Sequence, residues 1–109
     1  MWGAVLSTPE PGLALLGFGK RDVPYDLELP VPRYIKRGRE APRTFAHAAS
    51  IFNTNDQHAY LRLDPAEDLH VGDLVGCGIS HPCTAFDKWR LIPLVDDSYG
   101  VIDAVMTYF

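Results

Sequence analysis

Four prolines between Gly19 and Pro42 restrict what this chain can fold into more than any other feature: Pro24, Pro30, Pro32 and Pro42. Each removes a backbone donor and fixes φ, so no long helix runs through the segment. It reads as a long, mostly irregular crossing, pinned by Tyr25, Leu27, Leu29, Val31, Tyr34 and Ile35. With helix excluded there, the short apolar runs on either side must carry the fold.

Those runs have the length and alternation of strands. Trp2 to Ser7 and Leu13 to Phe18 flank a Pro9-Glu10-Pro11-Gly12 turn and predict a hairpin or two adjacent strands. Further strands are expected over Thr44 to Ile51, His58 to Leu63, Leu74 to Ile79, Arg90 to Val95 and Val101 to Tyr108. Pro93 places its strand at an edge or a bulge. Asp64-Pro65 starts a turn, and Ala66 to Leu69 reads as a single helical turn. The expectation is all-β: about six or seven short strands in a small antiparallel barrel, closed or partly open.

A length of 109 residues, 47% of them hydrophobic, is one domain with a modest core. A (β/α)8 barrel needs roughly 250 residues and is out of reach. The net charge of −4 argues against a nucleic-acid partner. The one basic patch, Arg33, Lys36, Arg37 and Arg39, reads as a solvated loop. There is no apolar run of about 18 residues, so no membrane span is expected. MWGAVLSTPEPG lacks the basic start and apolar core of a signal peptide. A cytoplasmic setting is the default expectation.

The chemistry-bearing stretch is ISHPCTAFDKWR. Imidazole and thiolate are good ligands for zinc, and His81 and Cys83 are separated by Pro82 alone. On a strand, such i and i+2 side chains share a face. Three readings stand side by side: a metal site, a buried turn and a thiol nucleophile. Two ligands do not fill a tetrahedral zinc sphere, so water, substrate or another part of the protein would complete it.

Around this pair, Asp87 is a candidate acceptor for the second ring hydrogen of His81. Trp89 reads as a plug of the barrel mouth, with Lys88 and Arg90 in water. Cys77 reads as a small core residue, with a third metal ligand or a disulfide to Cys83 as its alternatives. Asn55-Asp56-Gln57-His58 suits a tight turn, His58 being a remote candidate ligand, while His47 and His70 look incidental. Asp22 and Asp26 sit in the crossing, where Lys20-Arg21-Asp22 suggests local ion pairs. No phosphate-cradling glycine loop, nucleophile elbow or HExxH motif occurs.

Taken together, VGDLVGCGISHPCTAFDKWRLIPLVDDSYGVIDAVMTYF, NDQHAYL, LLGFGKRDVPYD and VLSTPEPGLALLGF resemble the C-terminal portion of the D-threonine aldolase and D-serine dehydratase-like family, especially its amino-acid deaminase branch. The resemblance covers nearly the whole chain. It implies a β-rich domain like the C-terminal domain of alanine-racemase-fold (fold type III) enzymes. In such enzymes an N-terminal (β/α)8 barrel carries pyridoxal phosphate on a lysine, and the β domain closes over the active site. On this reading residues 1–109 are the D-serine dehydratase-like β domain and the pyridoxal-phosphate barrel is absent.

In relatives with the His-x-Cys pair those side chains bind zinc beside the cofactor, which transfers the metal role to His81 and Cys83. D-threonine aldolase relatives use a His and an Asp instead, so the thiolate favours a dehydratase or deaminase. An aldolase or racemase fragment is the nearest alternative, and a non-catalytic metal- or partner-binding β module is the rival from another class. One departure is Asp26-Leu27-Glu28-Leu29-Pro30, where relatives often carry a glycine. Neither Lys20, Lys36 nor Lys88 matches the family's Schiff-base lysine. The expected partners are the missing barrel, a D-amino acid substrate and a second copy, paired through the face that closes the cleft. Alone, the chain is expected to be inactive.

Overall fold

Alternating apolar residues become strands in a computed structural model that describes residues 1–109. Nine strands and one short helix follow each other. They are β1 (Trp2–Glu10), β2 (Leu13–Leu16), β3 (Val31–Lys36), β4 (Arg43–Thr44), β5 (Ala49–Thr54), β6 (Ala59–Leu63), β7 (Leu74–Gly78), α1 (Cys83–Phe86), β8 (Leu91–Val95) and β9 (Val101–Met106). Seven strands form one sheet in the order β4-β3-β7-β1-β2-β6-β5, while β8 and β9 form a separate ribbon. All pairings are antiparallel.

The bend that curls the sheet is made by β1. Trp2 to Ala4 pair with β7, whereas Val5 to Glu10 pair with β2 through register shifts after Val5 and Ser7. Such bulges raise local twist and turn a strand toward a new neighbour. The turn to β2 needs Gly12, whose φ of 81° lies in the left-handed region. The curl encloses Val5, Leu16, Phe18, Leu61 and Val75 and brings β3 toward β5. The all-β expectation holds, as a half-barrel.

Several boundaries differ from expectation. The crossing is not irregular throughout, because it contains β3. Pro32 is tolerated there at a register shift before Tyr34, the kind of position at which a missing ladder donor does least harm. The expected strand from Thr44 to Ile51 is split into β4 and β5. The backbone N–H groups of Ala46 and His47 donate instead to the buried carboxylate of Glu67, at 2.8 and 3.0 Å. Ala66 to Leu69 form no helical turn; the turn runs from Asp64 to Glu67, where Glu67 N–H closes on the Asp64 carbonyl at 2.9 Å. No helix is long and apolar enough to cross a membrane.

Candidate functional site

The chain leaves β7 at Gly78 and turns through Ser80 and His81 into α1. Pro82 caps that helix with φ −60° and ψ −29°, where its missing N–H costs nothing. The carbonyl of His81 accepts from both Thr84 N–H at 3.2 Å and Thr84 Oγ1 at 3.1 Å, which closes the turn. Cys83 therefore opens a helix and does not continue a strand. The shared-face geometry expected of an i, i+2 pair on a strand does not apply.

His81 is half-buried and Cys83 is exposed with a free thiol. His81 Nδ1 lies 2.7 Å from Asp26 Oδ2. That hydrogen bond holds the Asp26 carboxyl below the ordinary carboxylate range. Asp87, the expected partner, instead meets its neighbour Lys88 at 3.2 Å. No protein group bonds His81 Nε2. Ser80 reinforces the contact from the next position: its Oγ donates to the Glu28 carbonyl at 3.0 Å and accepts Glu28 N–H at 3.3 Å.

The remaining sulfur is placed elsewhere. Cys77 is buried in the core on β7, paired across to Pro32, and burial pushes its thiol up to about 12. It forms no disulfide with Cys83. No group of three or more His, Cys, Asp or Glu side chains is arranged to hold a metal. His58, His47 and His70 are exposed, and His70 Nε2 sits 2.6 Å from Asp68. Asn55 to His58 form the expected tight turn, whose carbonyls accept Lys20 and Arg21 N–H at 2.9 and 3.0 Å. Asp22 accepts Gly19 N–H at 2.9 Å and takes no part in a local ion pair.

Beside His81 and Cys83 runs an apolar cavity of about 610 Å³, walled by Trp2, Val23, Pro82, Phe86, Trp89 and Leu91. Trp89 does not plug the barrel. Its ring packs outside the sheet while Nε1 donates to the Asp22 carbonyl at 2.7 Å. Lys88 is not in open water either, since Nζ donates to the Thr84 carbonyl at 2.6 Å. The far wall is Trp2, lying over Gly76, where a Cβ would come within 2.8 Å of the indole. Tyr99 at the ribbon tip meets that indole edge-on at 5.4 Å, and Tyr34 stacks beside it at 6.4 Å. The ribbon thus arches over the outer face of the sheet.

In the basic patch, Arg37 is committed to Asp73 and Asp68 at 2.8 and 3.0 Å. The residues that sequence reasoning missed are Asp26 and Ser80. The only available signal was the Asp-x-x-Leu-Pro stretch itself, whose aspartate precedes His81 by 55 positions.

Comparison with known proteins places residues 1–95 in the family described as "Putative serine dehydratase domain". No curated protein matches the chain.

Proposed function

The chain belongs to the serine dehydratase domain family, and from that premise we propose that it is the metal-bearing β domain of a pyridoxal-phosphate-dependent D-amino acid dehydratase or deaminase. The observation that carries the proposal is a hydrogen-bond-anchored imidazole two positions from a free, exposed thiol. The donor chemistry fits zinc. His81 has a ring nitrogen with no protein partner, and Cys83 supplies a soft sulfur once deprotonated. Two protein donors leave the remaining positions for water, substrate or another domain. Bound there, zinc would polarise the β-hydroxyl of a substrate while pyridoxal phosphate served as electron sink.

This chain's own residues hold and shield. Asp26 and Ser80 orient His81, and the α1 turn presents Cys83. Phe86 and Trp89 wall the groove next to Pro82 with apolar surface. No lysine lines the cavity beside the pair: Lys20 lies over the Tyr25 ring at 5.5 Å, Lys36 donates to the Gly38 carbonyl and Lys88 to that of Thr84. On this reading the Schiff-base lysine and most cofactor contacts belong to an N-terminal barrel, and residues 1–109 alone turn over no substrate. A D-serine-type substrate would give the keto acid and ammonia. The setting is cytoplasmic, and the exposed β8–β9 ribbon suits docking to the barrel or to a second copy in a homodimer.

An aldolase reading has one specific support, the aspartate beside His81. Asp26 occupies Nδ1 and so holds the ring from behind, which favours the His-Cys pair and the dehydratase. The test is zinc content after purification without chelator and zinc loading. Stoichiometric zinc in the wild type, lost in both His81→Ala and Cys83→Ala, is the expected result. Zinc retained equally by both variants would show that the pair is a packed turn.

A further inference from the structure

Asp26 and His81 are far apart in sequence and are joined by a clasp with two independent fastenings. One is the Asp26–His81 bond at 2.7 Å. The other is Ser80, which uses its hydroxyl as donor and acceptor on the backbone of Glu28 at 3.0 and 3.3 Å. Ser80 pins the Asp26–Glu28 segment against the start of the HPC turn, so the carboxylate is delivered by backbone attachment and not by a free side-chain swing. On the other side of the ring, the His81 carbonyl is tied to Thr84. The imidazole is thus held through its own main chain and through Nδ1.

An ionised carboxylate only accepts hydrogen bonds. Facing Asp26, Nδ1 must carry the ring proton, and in the neutral imidazole Nε2 then carries the lone pair. We infer that Asp26 is a positioning residue that fixes His81 in the Nδ1–H tautomer, so that Nε2 is turned out as a ready metal ligand. Its use as a ligand rests on the zinc reading above; the tautomer does not. Carboxylate partners of this kind raise the basicity of a liganding histidine, and their loss typically weakens metal affinity about 10–100-fold. Because both side chains here are partly exposed, the lower end of that range is the expectation.

The test separates the two layers. Long-range 1H–15N spectra of the zinc-free 109-residue chain, taken at alkaline pH where imidazole is neutral, report the His81 tautomer directly. Wild type should show Nδ1–H, and Asp26→Ala should shift His81 toward the Nε2–H form that free imidazole side chains favour. Asp26→Asn, which keeps an acceptor without its charge, should fall between them. Zinc titration should then show affinity weakened about tenfold in Asp26→Ala and less in Asp26→Asn. Circular dichroism should be unchanged, since Ser80 still holds the segment. An Nε2–H tautomer in the wild type, or an unmoved tautomer in Asp26→Ala, overturns the role of Asp26. A wild type that is Nδ1–H but takes up no zinc leaves the positioning role standing and counts against the metal reading alone.

Discussion

The seven-stranded sheet and the β8–β9 ribbon are both written in branched and aliphatic residues, yet they end in different solvents. In the sheet Leu16, Leu61 and Val75 are fully buried. In the ribbon every residue of β9 is exposed, as are Leu91, Leu94 and Val95 of β8. The difference shows that pairing and burial are separate achievements. Apolar alternation and a turn suffice to pair two strands, and Asp96 supplies the turn by accepting Ser98 and Gly100 N–H at 2.8 and 2.9 Å. Burial needs a second layer, which the curl of β1 provides for the sheet, whereas the ribbon meets the rest of the chain only at its tip, by Tyr99 on Trp2, and at Leu91 to Pro93 in the cavity wall. A two-stranded ribbon is marginally stable by itself, so this one should behave as a separate, low-stability unit.

The largest effect should come from the sheet. Leu61→Ala removes a fully buried side chain from the middle of β6 and should cost about 2–5 kcal/mol in urea denaturation. A cost below about 1 kcal/mol would mean that the half-barrel collapses around the void, and that its core is as loose as the ribbon.

The next effect concerns a buried charge that the sheet holds at its rim. Glu67 accepts Ala46 and His47 N–H and pairs with Arg43 at 2.8 Å. Burial pushes its carboxyl up, but Arg43 and the two N–H groups outweigh burial and hold it below 4.5. Asp73, held down mainly by Arg37, behaves alike. A carboxyl with a depressed folded value stabilises above its unfolded value, and that stability is lost as pH falls through the folded one. Stability should therefore drop with acid below about pH 4.5. Glu67→Gln should flatten that slope in pH-dependent unfolding, and Glu67→Ala should cost about 1–3 kcal/mol at neutral pH by stranding its donors. An acid limb unchanged in Glu67→Gln would assign the slope to Asp73.

Legibility in the sequence follows the same division. β1, β2, β6, β7 and the ribbon were readable because their apolar alternation has no rival signal. β3 was hidden by Pro30, just before it, and by Pro32, which sits opposite Cys77 at the register shift before Tyr34. β5 was placed too early because Glu67, some twenty positions on, claims the donors that would have continued the strand. At the candidate site, His81 and Cys83 stood out by donor chemistry, which is a property of single residues. Asp26 did not, because its partnership exists only after the crossing folds back on Ser80. Nearby Asp87 was the natural guess, and the α1 turn carries it to Lys88.

A smaller effect is expected where the two regions join. Trp89→Phe keeps an aromatic wall for the groove but loses the 2.7 Å bond to Asp22, worth about 0.5–1.5 kcal/mol. Native-state hydrogen exchange should quicken for the amides of Asp87 and Trp89, which bond the α1 carbonyls of Cys83 and Ala85, and stay unchanged in β6. Equal acceleration in both would show that ribbon, helix and sheet unfold as one unit.

The smallest effect decides what the ribbon is for. Leu94 is 50% exposed, and Leu94→Ser should change the stability of the dilute monomer by less than about 0.5 kcal/mol. The same substitution in Leu61's surroundings would be ruinous, so near-neutrality is a direct reading of solvent contact. The comparison breaks if Leu94→Ser costs as much as a core truncation and the cost grows with protein concentration. Mass action would then place Leu94 inside an association that stabilises the folded chain. Sedimentation of wild type and variant over the same concentration range would show it as a dimer that the variant loses. A cost independent of concentration would instead mean that the ribbon's contact with its own sheet, made by Tyr99 on Trp2, extends to Leu94, leaving the His81–Cys83 pair less open to substrate than its exposed thiol implies.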